Sequence, residues 1–163
     1  MIHVAGAVIL NLAGSALWLF VINLGIAFGA GLYEAVIVLP QWKNTPPATW
    51  INTGLRFWVY VSTIPLTLLT LASLILAWQC EEPQRNWWLA AAAVVTLERV
   101  ATFAYFIPTM IRLQTDKVLS PAAVRLGLEH WMLMNHGRHV LSLAGWLLAL
   151  RALSLSATAS PLP

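Results

Sequence analysis

The stretch FWVYVSTIPLTLLTLASLILAW, residues 57–78, carries no charged side chain and exceeds the roughly 20 residues a helix needs to cross the hydrocarbon core of a bilayer. Because that core offers no hydrogen-bond partner, a backbone so placed must form a helix whose amides bond to one another. The run stops at Glu81-Glu82-Pro83. Three more runs flank it: roughly 4–39, closing at Pro40; 87–111, with Pro108 near its end; and 122–155, opening after Ser120-Pro121, a sequence that favours helix initiation. The pattern predicts an all-α chain, a single four-transmembrane-helix bundle over 1–155, with a Ser/Thr/Ala/Pro tail at 156–163 expected to be disordered. Pro65 and Pro108 are compatible with membrane helices where neighbours satisfy the freed carbonyls.

Composition agrees with lipid as the solvent. Of 163 residues 60% are apolar and 9% charged, against roughly a quarter charged in a soluble domain. The formal net charge of +3 is therefore a topology signal and not a nucleic-acid footprint. Lys43, Arg56, Arg112, Lys117 and Arg125 belong to the first and third connections, Arg85 and Arg151 to the other side. The positive-inside rule then places those two connections in the cytoplasm and both termini outside, as in a bacterial inner membrane or its equivalent. The chain turns apolar within a few residues and lacks a basic n-region, which predicts a retained first helix. Trp18, Trp42, Trp50, Trp58, Trp78, Trp87, Trp88 and Trp131 mostly lie near the ends of apolar runs, where indole suits the membrane interface. Cys80 is the single cysteine, so no intrachain disulfide or thiol-rich metal site is available.

The polar residues inside the runs recur with helical spacing. Glu98, Thr102, Tyr105, Thr109 and Arg112 fall within a stripe of about 80° on the third helix. Tyr60, Thr63, Thr67 and Thr70 repeat on the second, and Asn23, Ala27, Ala30 and Glu34 on the first. On the fourth, Glu129, Asn135, His136, Arg138, His139 and Ser142 take about half the wheel, with Leu133, Gly137, Val140, Leu141 and Leu148 opposite. Counting about 1.5 Å per residue from the side of the first and third connections gives two tiers. Glu34, Tyr60, Thr109 and Glu129 lie near that surface. Roughly 20 to 25 Å down lie Asn23, Thr70, Glu98, Arg99, His136 and His139, with Asn135 and Arg138 close by. A charge at the bilayer centre costs at least about 2.5 to 3.5 kcal/mol, so these groups should pair or line a wet cavity.

Two readings of the cluster are open. Glu98, Arg99 and Arg138 can form a structural ion-pair network. Alternatively, the excess of groups over what helix adhesion requires points to proton chemistry, with Glu98 or Glu129 as base and His136 as proton carrier. Asn23, Glu34, Tyr60, Thr70, Arg99, Tyr105 and His139 would line the pocket. His136 and His139, with Glu98 and Glu129, are weak candidates for a metal site, because the Glu-x-x-His repeats of di-iron bundles are absent. Bis-histidine haem is disfavoured, since both histidines lie on one helix. Gly25-x-x-x-Gly29, followed by Gly31, has the spacing of a close-packing face for a partner helix or a second copy. Tyr33, Phe103, Tyr105 and Phe106 offer either an aromatic wall for a flat lipophilic ligand or ordinary core.

Three segments carry a family resemblance: GLYEAVIVLPQW at 31–42, YFIPTMIRL at 105–113 and WMLMNHGRH at 131–139. They resemble the small four-helix membrane proteins grouped with the anthrone oxygenases, with Trp131, Asn135 and Arg138 as W-x-x-x-N-x-x-R. The resemblance implies oxygenation of a polyketide-derived anthrone to an anthraquinone, with Asn135 and Arg138 the positions to carry over. Glu98-Arg99 and His139 have no clear place in that pattern. The expected function is thus oxygenase-like or proton-transfer chemistry on a lipophilic small molecule, with Asn135 and Arg138 stabilising an enolate. No cofactor is strictly required, and a metal is possible. The alternative is a non-catalytic accessory or transport subunit.

Overall fold

The computed structural model describes residues 2–50 and 54–158. Every element among them is helical, and four helices are long and apolar enough to cross a membrane. α1 runs through the segments Ile2–Tyr33, Glu34–Val38 and Leu39–Trp42. α2 spans Leu55–Gln79 and α3 Gln84–Thr115; α4 is one α-helix, Pro121–Thr158. The last therefore enters the segment expected to be disordered, whose residues 159–163 lie outside the described ones. α3 and α4 pack most extensively, followed by α1 on α4, α1 on α2 and α2 on α3, the neighbour order of an up-and-down four-helix bundle.

α4 starts where the sequence signals it. Ser120 Oγ accepts the Ala123 N–H at 3.2 Å, capping one of the amides a helix start leaves free, and Pro121 follows in a position that needs no N–H. The other three helices share a different local feature. α1, α2 and α3 each widen into a π-helical segment, Glu34–Val38, Trp58–Thr63 and Thr102–Phe106, and each segment ends two residues before a proline: Pro40, Pro65 and Pro108. A proline inside a helix lacks the N–H that would bond the carbonyl four residues back, and its ring crowds that carbonyl. A wider turn relieves the clash. The carbonyl left without its proline partner in α2 is that of Val61, and Asn23 Nδ2 of α1 donates to it at 2.8 Å. In α3, the Trp131 indole Nε1 donates to the Phe106 carbonyl at 3.0 Å.

The wide turns shift the helix faces away from a uniform 100° wheel. On α2 the buried line is Ser62, Leu66, Thr70, Ser73 and Ala77, one strip over from Tyr60, Thr63 and Thr67; Tyr60 itself is 69% exposed. On α3, Glu98 and Thr102 face inward as the stripe predicts, but beyond the π-turn Phe106 and Leu113 are buried and Arg112 is exposed.

Two apolar cores result. One gathers Leu17, Phe20, Leu24, Leu66, Trp88, Val95 and Ala149; the other gathers Leu39, Trp42, Trp50, Phe106, Leu128 and Trp131 at the end of the first and third connections. There Trp42 and Trp50 stack with ring centroids 5.3 Å apart. The interface belt expected of the tryptophans is thus only partly realised. Trp18 and Trp78 are exposed, whereas Trp42, Trp50, Trp88 and Trp131 are core. The glycines expected to face a partner are mostly used within the chain. A Cβ at Gly25 would meet Trp146 of α4 and one at Gly31 would meet His139, while Gly29 faces open space.

If Asn23 replaces the bond that Pro65 cannot make, the two residues are energetically coupled. In a double-mutant cycle followed by detergent-solubilised thermal unfolding, Asn23→Leu should cost about 1 kcal/mol more in the native chain than in a Pro65→Ala background, where a backbone N–H is restored. Equal costs in both backgrounds would show that the bond does not serve that carbonyl.

Candidate functional site

A polar layer separates the two cores. On α3 Glu98 is 2% exposed and Arg99 8%, and the adjacent side chains form a two-pronged ion pair. Arg99 Nε donates to Glu98 Oε2 at 2.6 Å and Nη2 to Oε1 at 2.7 Å. Thr102, one turn on, donates to the Glu98 backbone carbonyl at 2.9 Å and lies 3.2 Å from Oε1. Such a fork is the geometry in which guanidinium and carboxylate bind most strongly.

α4 supplies the facing groups from one strip, Asn135, Arg138, His139 and Ser142. Arg138 Nε stands 4.0 Å from Glu98 Oε1, beyond hydrogen-bond length, and its guanidinium lies 5.0 Å from the centre of the Phe106 ring. Asn135 Nδ2 and His139 Nε2 are 3.2 Å apart. The imidazole packs against α1 at Gly31, where a Cβ would sit 2.6 Å from its Cε1. Glu34, in the π-turn of α1, faces the Trp58 indole and interacts with Arg138. The two tiers drawn from helical rise are therefore linked through Arg138, and the layer contains two carboxylates, Glu34 and Glu98, against two guanidiniums, Arg99 and Arg138. Of these, Glu98 and Arg99 form a closed ion pair, the arrangement a low-dielectric interior demands of charges kept there.

The remaining predicted residues lie elsewhere. Glu129 and His136 are both exposed, on the outer side of α4, and Glu129 pairs with Arg125 at 3.3 Å. Tyr60 points out of the bundle. Asn23 is engaged with Val61. Thr70 is buried and donates to Leu66 O at 2.6 Å. Tyr105 is half-buried, edge-on to Phe106 and to His130. Of the aromatic quartet, Phe106 belongs to the core while Tyr33 and Phe103 are exposed. Among the described residues, no three His, Cys, Asp or Glu side chains come together closely enough to hold a metal ion, so His136, His139, Glu98 and Glu129 do not form one ligand set. Gly31, Thr102 and Trp58 join the site without having been predicted for it. Thr102, one helical turn from Glu98, was legible as part of its stripe; Gly31 was obscured by its glycine-rich neighbourhood.

Two buried polar atoms of the layer, Arg99 Nη1 and Asn135 Oδ1, have no hydrogen-bond partner. Leaving such groups unpaired costs about 1 to 3 kcal/mol each, more when charged. A separate hollow of about 710 Å³ at the connection end is lined by Trp42, Lys43, Leu113, Lys117 and Arg125 among others and shares no residue with the layer.

A family model described as anthrone oxygenase matches residues 56–148. That range takes in the α3 and α4 contributions to the layer and leaves out Gly31 and Glu34. No curated protein and no solved structure gives a significant match to the chain.

The contact between Gly31 and His139 makes a sharp contrast with Gly29. Alanine in place of glycine in a helix is ordinarily favourable by about 1 kcal/mol. Gly29→Ala should therefore hold or raise the thermal midpoint in detergent, whereas Gly31→Ala should lower stability by about 1 to 3 kcal/mol through the displaced imidazole. A midpoint for Gly31→Ala at or above that of Gly29→Ala would mean that the ring does not rest on this glycine.

Proposed function

The chain belongs to the anthrone oxygenase family, and on that footing we propose that it is a membrane oxygenase acting on a lipophilic, polyketide-like aromatic ketone held between its helices. The observation that supports this most is the buried polar layer in which Asn135, Arg138 and His139 of α4 face the Glu98–Arg99 pair of α3, with Arg138 Nε standing 4.0 Å from Glu98 and held by no hydrogen-bonded fork of its own.

The chemistry begins with loss of a proton from the methylene opposite the ketone of an anthrone. The electron pair moves to the ketone oxygen, giving an enolate stabilised by N–H donors of Arg138 and the carboxamide of Asn135 in a site closed to bulk water. Molecular oxygen takes one electron from the enolate, the radical pair combines to a hydroperoxide, and loss of water leaves the second carbonyl. Overall, one methylene and one O2 become one carbonyl and one water. Glu98 is a poor base, because both of its oxygens already accept hydrogen bonds from Arg99. Its role is to hold the guanidinium. His139, buried with its Nε2 3.2 Å from Asn135 Nδ2, is the group that takes the proton in this scheme. Glu129 and His136, on the outer face, have no part in this scheme. The non-catalytic alternative, an accessory or transport subunit, draws its support from the closed Glu98–Arg99 pair, which by itself suits helix registry.

Oxygen uptake and quinone absorbance, measured on nanodisc-reconstituted protein given an anthrone and corrected for spontaneous oxidation, test the proposal. His139→Ala should lower kcat by about 10²- to 10⁴-fold, the range for losing a general base, and Arg138→Gln by about 10²- to 10³-fold. Wild-type protein that does not exceed the spontaneous rate, or variants that match it, would leave the accessory-subunit reading in its place.

A further inference from the structure

The hollow of about 710 Å³ at the connection end is built unlike the polar layer. Its floor is apolar. Trp42, Trp50, Leu113 and Leu128 line it and are all buried. Its rim is cationic. Lys43 follows the last turn of α1, Lys117 belongs to the third connection and Arg125 stands at the start of α4, and all three are exposed. Three separate segments of the chain thus bring positive charge to one opening.

The chain does not match these charges itself. Asp116 is the one acid of the lining, which leaves a surplus of two positive charges. Its carboxylate is already engaged, accepting the Val118 N–H at 2.9 Å and lying 3.7 Å from Arg112. Arg125 is 3.3 Å from Glu129, but the two side chains are 74% and 47% exposed, and water weakens such a pair. Lys43 and Lys117 have no ion pair among the described residues. The depth is that of the membrane interface. From Pro121 to Leu128 α4 rises about 10 Å, whereas the headgroup region adds about 5 to 7 Å to each side of the hydrocarbon core. The hollow therefore begins among headgroups and ends among the first acyl carbons. A soluble anion would match the rim and leave the floor uncovered, and an acyl chain alone would do the opposite. A zwitterionic phospholipid would bring its ammonium group against three cations.

We infer that this hollow is a binding site for an anionic phospholipid, with the phosphate held by Lys43, Lys117 and Arg125 and the glycerol and first acyl carbons lying against Trp50 and Leu128. Arginine grips phosphate through its fork and lysine as a point charge, and basic pockets between membrane helices hold acidic lipid headgroups in this way. The site goes beyond the oxygenase reading and does not depend on it, since the hollow shares no residue with the polar layer.

Phosphatidylglycerol and phosphatidylcholine with the same acyl chains, titrated into the full chain in neutral detergent and counted as adducts by native mass spectrometry, test the site. Phosphatidylglycerol should bind at least tenfold more tightly. The double variant Lys43→Gln/Lys117→Gln should bring the two affinities within about threefold. Arg56→Gln removes an exposed cation at the same end of the bundle that does not line the hollow, and it should change the preference by less than twofold. Leu119→Trp, which narrows the hollow without altering its charge, should weaken phosphatidylglycerol binding at least fivefold; the lysine variant carries the test if that chain does not assemble. Glycerophosphoglycerol, the same headgroup without acyl chains, should fail to displace the lipid at a hundredfold excess. Equal affinity for the two lipids overturns the site, as does a preference that Arg56→Gln lowers as much as the lysine pair does, which would assign it to diffuse surface charge. Displacement by the bare headgroup at equal concentration also overturns it, because the hollow would then hold a soluble phosphate and not a lipid.

Discussion

A bilayer cannot replace a hydrogen bond that the chain omits, and this chain omits one in each of three helices by placing a proline inside it. The same solution recurs in all three. The turn before the proline relaxes from α to π, and in α2 a side chain from the neighbouring helix takes over the orphaned carbonyl. Asn23 is thereby explained as a structural residue. Its amide bonds the backbone of α2 and so fixes the approach of α1, on which the position of Gly31 and Glu34 against α4 depends.

The second constraint is charge. Glu98 and Arg99 are neighbours in sequence, and on a regular helix adjacent residues diverge by about 100°. Only long side chains that curl toward each other can pair from such positions, and here both are buried while doing so. The pair is then self-contained, neutral as a unit, and needs nothing from α4. Arg138 accordingly stands off at 4.0 Å with its cationic face over Phe106. It is divided between Glu98 and Glu34, which leaves its donors less committed than those of Arg99. The distinction between a guanidinium tied to a carboxylate and one held loosely between two is what separates an anchoring arginine from one available to a developing negative charge.

Much of this was legible in the sequence. Run lengths and charge gaps determine four apolar helices because transfer energetics depend on composition alone, and α4 was predictable to its capping serine. The convergence of Glu98, Arg99, Asn135, Arg138 and His139 followed from helical rise, which accumulates reliably along a straight helix. Rotation was harder. Each π-turn offsets the faces beyond it, so Tyr60 lies outside the buried line of α2 and Arg112 leaves the stripe begun by Glu98. On α4, which has no such turn, the error was one of width. Glu129 and His136 lie seven residues apart on one line, but that line borders the buried strip of Asn135 and His139 and does not belong to it. The tryptophans misled for a related reason, since a position near a helix end is compatible with interface or core, and only the packing of the connection over α3 and α4 decides between them.

The wide turns also shape the candidate site. Glu34 opens the π-turn of α1, Trp58 that of α2 and Thr102 that of α3, so each of the first three helices delivers a group to the layer, or next to it, from its own wide turn. Phe103 and Ala104, which border a groove of about 480 Å³ between α2 and α3, come from the α3 turn as well. A regular helix would keep its neighbours at ridge-and-groove contact along its whole length, and a charged layer so enclosed would be reachable only from the ends, past one apolar core or the other. The π-turns enlarge the helix locally, separate its contacts, and leave between α2 and α3 the groove that Arg99 borders. The prolines thus carry two consequences at once. They force the backbone into wide turns where hydrogen bonds are scarce, and those same turns carry Glu34, Trp58 and Thr102 to the buried charges.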